Sequence, residues 1–318
     1  MTGSRGGPGI PRRRAGGARP RSMLGLIVLL QTLVVAVSGP ATSPEYLPLR
    51  VAAAEGDFAR EGLDVRLRTT RAEPGAAEAL AEGRAHLAAT TFEAMLRFGP
   101  RLPAQPPRLV FGLTAAPPGA LLVGAAHAQA IRNVGDLRGR RVGVSTPGAP
   151  EQAWLGWLLA RAGISPDRLH VVSLGSRGLV TALGAGEVDA AFVREPDATR
   201  LLTEGRASLL VDLRTPAAVD GALGAGTVSA AVFARADRQP ADAELAGFAR
   251  ALLAATERLR ADRDLWLPDG LVSAAQVEQT IRLVRAHAPL PASLRLPDAE
   301  RLLHLEPLRS ALRPRPAR

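Results

Sequence analysis

The sequence predicts an α/β protein of two lobes that ends in a helical block. Three observations carry this. From Tyr46 onward, short β-type apolar runs alternate with helical runs, the pattern of mostly parallel sheets covered by helices. From Ala241 onward the chain reads as nearly all helical. Between them runs an internal echo: Ala79–Ala89 (ALAEGRAHLAA) parallels Ala182–Phe192 (ALGAGEVDAAF). Each is a helix end, a glycine placed to cap it in the left-handed conformation, and a strand entry. Two similar lobes would produce such an echo.

The elements follow in order. Leu33–Val37 (LVVAV) is β-branched and reads as a buried strand. A helix is expected over Leu49–Glu61, then a strand over Asp64–Thr69. Helix Ala76–Glu82, strand Leu87–Thr90, helix Phe92–Phe98 and strand Leu109–Leu113 complete the first lobe. In the second, strand Arg141–Ser145 runs through a Gly/Pro turn into helix Glu151–Ala162, with Pro150 at the first helical position, where its missing N–H costs little. Strands His170–Leu174, Ala190–Val193 and Ser208–Leu213 alternate with helices Leu179–Ala185 and Asp197–Glu204. The final block holds helices Asp242–Arg263, Ala274–His287 and Asp298–Leu308. The expected organisation is a leader over 1–31, one lobe over 32–122, and a second over 123–228. Residues 229–318, mostly helical, would return to brace the first lobe.

The 318 residues suffice for two core-bearing lobes, since domains run to roughly 100–200 residues. Apolar residues are 47% and charged residues 22%, which excludes a disordered chain as the default. The formal charge of +10 raises the question of nucleic acid. Its location answers it: Arg5, Arg12, Arg13, Arg14, Arg19 and Arg21 lie at one end, and Arg309, Arg313, Arg315 and Arg318 at the other. Aromatics are only 3% and there is no lysine, so no basic patch with interleaved aromatics marks the body. No nucleic-acid partner is expected. The absence of cysteine excludes disulfides, thiol catalysis and cysteine-ligated metals.

The N-terminus has two readings. An Arg-rich segment, an apolar stretch from Met23 and then small residues is the layout of a secretory signal, with Ala36-Val37-Ser38 as a possible cleavage point. The stretch is short for a transmembrane helix, which needs about 20 apolar residues. Cleavage after Ser38 would remove the Leu33–Val37 strand, so the two readings conflict.

No catalytic constellation is visible. His86, His127, His170, His287 and His304 show no HExxH pairing, so no metal site is expected. There is no GxSxG elbow, and Gly221–Gly226 has the wrong spacing for a dinucleotide fingerprint. No cofactor is expected.

What the sequence supplies is a set of small polar turns at the carboxyl ends of its strands, where open α/β sheets bind ligands. Candidate ligand-binding residues are Ser38, Gly39 and Thr42; Thr90, Thr91 and Phe92; Ser145, Thr146 and Gly148; Arg194 and Glu195; and Thr227 and Ser229. Hydroxyls and helix N-terminal N–H groups suit anions and polar oxygens. Arg194 could clamp a carboxylate or sulfonate. The alternative is that Ser, Thr, Gly and Pro simply build turns and caps.

Leu47–Leu67 (LPLRVAAAEGDFAREGLDVRL) resembles a hallmark segment of the periplasmic solute-binding proteins for nitrate, taurine, aliphatic sulfonates and thiamine pyrimidine precursors. ALAEGRAHLAATTFEA, VGDLRGRRVGVSTPGAPEQAWLGWLLARAGI and ALGAGEVDAAFVREPDATRLLTEGRASLLVDLRTP match in order, over roughly Leu33 to Arg263. The resemblance implies a type II periplasmic-binding fold: two α/β lobes, crossovers near Leu122 and Val228, and a cleft that closes on a solute by a hinge. It implies an ABC importer's substrate-binding protein, a monomer that is not itself an enzyme, partnered by a permease and an ATPase. The solute would be small and anionic or polar. Export to the periplasm is implied, with cytoplasmic retention or anchoring through the N-terminal apolar stretch as alternatives. An enzyme on the same fold, or a ligand-sensing domain, is the competing class. Two departures stand out: His86 replaces the usual Asp, and Ala149 and Pro150 stand where many members carry Ser or Thr.

Overall fold

The computed structural model describes residues 32–70, 72–101, 105–145, 150–223, 226–260, 264–288, 290, 294–295 and 298–314, together with Gly3. The expected leader over 1–31, apart from Gly3, lies outside them, as do Thr146, Gly148 and Ala149.

The first lobe contains β1 (Leu33–Val37), α1 (Leu47–Ala54), α2 (Asp57–Arg60), β2 (Val65–Thr69), α3 (Glu73–Ala81), β3 (Leu87–Thr91), α4 (Phe92–Phe98) and β4 (Pro107–Thr114). The second contains β5 (Gly119–Gly124), β6 (Arg141–Val144), α5 (Pro150–Arg161), β7 (His170–Ser173) and α6 (Gly175–Ala185). It continues through β8 (Ala190–Arg194), α7 (Asp197–Thr203), β9 (Ala207–Asp212) and α8 (Pro216–Leu223). The chain then returns through β10 (Ala230–Arg235), α9 (Asp242–Arg260), α10 (Ala274–His287) and α11 (Glu306–Leu312).

Each lobe is built on a five-stranded sheet. Their orders are β2-β1-β3-β10-β4 and β7-β6-β8-β5-β9, which are the same order once β1 is matched to β6. The first three strands of each sheet are parallel. The fourth, β10 or β5, runs antiparallel to both neighbours. The sheets are therefore mixed, where mostly parallel ones were expected. Sequence periodicity missed β5 and β10 because both are buried along their whole length, so neither alternates. Leu122 lies inside β5, so the first crossing falls earlier than expected, between Thr114 and Gly119.

Two expected helices are broken. Leu49–Glu61 splits into α1 and α2, because Gly56 adopts a left-handed φ of 72° between them. Asp298–Leu308 is a short 3-10 turn at Ala299–Leu302 followed by α11. Pro307 sits in the first turn of α11, and a proline there cannot follow a preceding helical turn without clashing with the carbonyl four residues back.

One large core joins the first lobe, α5, α8 and the C-terminal helices; a smaller cluster lies between the second sheet and α6 and α7. Phe58 stacks on Phe248 at 5.1 Å, fixing α2 to α9. Full burial of one such ring contributes roughly 1.5–3 kcal/mol. α9 packs on α1, α2 and α11 of the first lobe and the C-terminal block, while α10 packs on α5 of the second lobe and also on α4 of the first. Among the described residues no helix is long and apolar enough to cross a membrane.

Candidate functional site

Strand-to-helix turns at the carboxyl ends of both sheets surround a cleft of about 410 Å³. Its walls come from both lobes: Gly39, Thr42, Glu73, Glu93 and Arg97 from the first, Ser145, Glu151 and Arg194 from the second. Another cavity, about 360 Å³, lies beside His86 and Arg238 at the opposite end of the first sheet, and its walls come from one lobe only.

The first-lobe wall is built on a buried polar network. Ser38, just after β1, is fully buried; its Oγ donates to the Glu73 carbonyl at 3.0 Å and lies 2.9 Å from Thr90 Oγ1. Tyr46 Oη donates to Glu73 Oε2 at 2.7 Å, and Thr90 Oγ1 lies 3.3 Å from the same oxygen. Gly39, at φ 71°, is required at the turn: a Cβ there would meet Ser43 Oγ at 2.6 Å. Burial pushes the Glu73 carboxyl up, and hydrogen bonds from Tyr46 and the Thr91 N–H partly offset it. Burial, and then the charge of Glu73, push the Tyr46 hydroxyl well up.

Arg194, at the end of β8, crosses the cleft. It forms an ion pair with Glu45 and lies 3.7 Å from Glu73 Oε1, both in the first lobe. Burial draws its pKa down to about 10, so it remains a cation at neutral pH. Glu93 binds Arg97 at 2.8 Å, and Arg97 also sits 4.8 Å from the Phe98 ring centroid. Burial raises the Glu93 carboxyl to about 7; Arg97 opposes this, while Glu73 and Glu151 add to it. Glu151, in the first turn of α5, accepts from the Ser145 N–H at 3.1 Å and from its hydroxyl. Burial raises it too.

The predicted residues divide accordingly. Gly39, Thr42, Ser145, Arg194 and Glu195 line the cleft. Ser38 and Thr90 sit behind its wall in the Glu73 network. Thr91 caps α4, accepting from the Ala94 N–H at 3.2 Å. Phe92 is core, edge-on to Phe233 at 5.7 Å. Thr227 Oγ1 is buried and donates to the Ala115 carbonyl at 2.9 Å. Ser229 lies with Thr91, Glu93 and Trp154 at a small crevice of about 10 Å³. Thr146 and Gly148 lie outside the described residues. Glu195 is engaged by Thr199 and Arg214.

Sequence reasoning missed the glutamates. Glu45, Glu73, Glu93 and Glu151 each stand in the first turn of a helical segment, where an acidic residue reads as a partner for the helix dipole. The available signal was that three of these helical segments directly follow a strand with a predicted ligand turn.

His86 is also resolved. Its Nδ1 accepts the Val34 N–H at 3.0 Å, away from the cleft. At the matching position of the second lobe, Asp189 accepts the Arg141 N–H at 2.7 Å.

Two lobes of mixed sheet with a cleft across the carboxyl ends of their parallel strands define the periplasmic-binding-protein fold. The chain belongs to the NMT1/THI5-like family, whose profile matches residues 43–260. No curated protein matches by sequence. Among solved structures, a Bordetella bronchiseptica RB50 protein is 24% identical, with a TM-score of 0.70 over 88% of this chain and 96% of that one. The periplasmic aliphatic sulphonate binding protein SsuA from Escherichia coli is 19% identical, with a TM-score of 0.60 over 85% and 78%. The desulfurization enzyme DSZB is 17% identical, with a TM-score of 0.61 over 88% and 98%. At these identities the likeness is one of fold.

Proposed function

We propose that this chain is the substrate-binding protein of an ABC importer, capturing a small polar organic solute between its lobes by hinge closure. The observation that carries the reading is the cleft itself: about 410 Å³, walled by both lobes at the ends of both sheets. Family membership and the sulphonate-binding neighbour support it. The protein acts outside the inner membrane as a monomer, and its closed form docks on a permease driven by an ATPase. Thermal-shift titration of the full chain tests the reading, using alkyl and aryl sulfonates, taurine, nitrate, pyrimidine precursors and amines. A ligand at 100 times its Kd adds about 2.7 kcal/mol of stability. A folded protein that responds to no member of the panel would reject the reading.

A second reading is an enzyme on this fold, favoured by one observation: the Glu93 carboxyl, at about 7, is poised to exchange protons at neutral pH. Mass spectrometry of each ligand after incubation separates the two, since a binding protein returns its ligand unchanged.

A further inference from the structure

We infer that the cleft takes an organic cation, a solute whose ammonium or amidinium group meets Glu93 and Glu151; this rests on the solute-binding reading of the cleft. Glu73, Glu93 and Glu151 line the site and Glu45 lies behind its wall, all but the partly exposed Glu73 buried; among the described residues only two guanidiniums, Arg97 and Arg194, face these carboxylates. Arg194 is shared by Glu45 and Glu73, and Arg97 is held by Glu93. Glu195 and Asp197, on the same wall, have their own partners in Arg214 and Arg200. Glu151 has no ion-pair partner among the described residues. With every group ionised, the described residues of the site therefore carry two uncompensated negative charges in a poorly solvated place.

Two further observations bear on where a ligand's protons would go. Glu151 is 3% exposed yet lines the cleft, and apart from its own N–H its described hydrogen bonds all fall on Oε1. Glu45 is 1% exposed and its Oε2 has no hydrogen-bond partner. Glu45 Oε2, behind the cleft wall, is a buried acceptor short of a donor.

An oxyanion fits badly for the complementary reason. Both cleft guanidiniums already have their charge balanced by carboxylates of the protein, so an anion would add negative charge to a site that has no positive charge to spare. The positive ends of α4 and α5 already face Glu93 and Glu151. The missing counter-ion is organic: among the described residues no three acidic or imidazole groups converge to hold a metal, and the cleft is far larger than one ion needs.

Isothermal titration of the full chain with benzamidine, benzamide and benzenesulfonate, one ring carrying positive, zero and negative charge, tests the inference at pH 8. Benzamidine is expected to bind at least tenfold more tightly than either of the others. In Glu93→Gln/Glu151→Gln, or in Glu151→Gln alone if the double variant does not fold, that preference falls at least tenfold. Benzenesulfonate or benzamide binding as tightly as benzamidine overturns the charge assignment and leaves solute capture standing, as does an undiminished preference in the variant. A folded protein that binds none of the three overturns the assignment together with the cleft as a solute site.

Discussion

Ahead of β3 the His86 ring accepts the Val34 N–H; ahead of β8 the Asp189 carboxylate accepts the Arg141 N–H. The two lobes solve the same backbone problem, tying the entry of one strand to the start of its neighbour, with different side chains. Asp189 goes further, pairing with the Arg141 guanidinium at 3.2 Å and His127 at 3.3 Å. Around the cleft the lobes differ more. The first supplies Glu45, Glu73 and Glu93, while the second supplies Glu151 and the bridging Arg194. A shared backbone plan fixes where the turns fall; it leaves open what charge they carry.

The largest test of that comparison removes the bridge. Arg194→Ala leaves Glu45 buried without its cation and should cost about 3–4 kcal/mol in urea unfolding. Arg194→Met combined with Glu45→Gln should recover most of the loss; if it recovers none, the two lobes are not coupled through this pair.

The next effect belongs to the first lobe's excess of carboxylates. The folded pKa of Glu93, about 7, exceeds its ordinary 4.5, so the folded chain keeps a proton that the unfolded chain releases. Stability should therefore fall as pH rises between these values, by on the order of 3 kcal/mol from this group. Glu73 and Glu151, also raised, act in the same direction. Unfolding curves at pH 5 and pH 8 check this: Glu93→Gln should flatten the dependence, and an equally steep variant would remove Glu93 as its source.

A smaller contrast lies between the two strand ties. Asp189→Ala, which loses a charge-assisted bond and a guanidinium pairing, should cost about 2 kcal/mol, and His86→Ala about 1 kcal/mol. Equal losses would mean the ties are equivalent despite their chemistry. Smallest is Thr91→Ala, which removes the α4 cap at a cost of about 1 kcal/mol. Unaltered ligand affinity in that variant would assign the hydroxyl wholly to the cap.

Much of the scaffold was legible because amphipathic elements announce themselves. The echo between Ala79–Ala89 and Ala182–Phe192 spans α3 into β3 and α6 into β8, which occupy matching places in the two sheets. The central strands were illegible for the opposite reason: GALLVG and AAVFAR face apolar neighbours on both sides, so nothing alternates. At the site, turn position could be read but commitment could not. Thr227 and Ala115, or Arg194 and Glu45, are far apart in the chain, and only the folded backbone shows that each polar group already has a partner.

A ribosome delivers β4 long before β10. Yet among the described residues the one strand beside β4 in its sheet is β10, which separates it from β3. All five strands of the second sheet, β5 to β9, emerge as one uninterrupted stretch and can pair as they appear. The lobe that is synthesised first must therefore be finished last. Until β10 arrives, β3 and β4 each present an unpaired apolar edge, and the growing chain has to be kept from pairing those edges with another copy of itself.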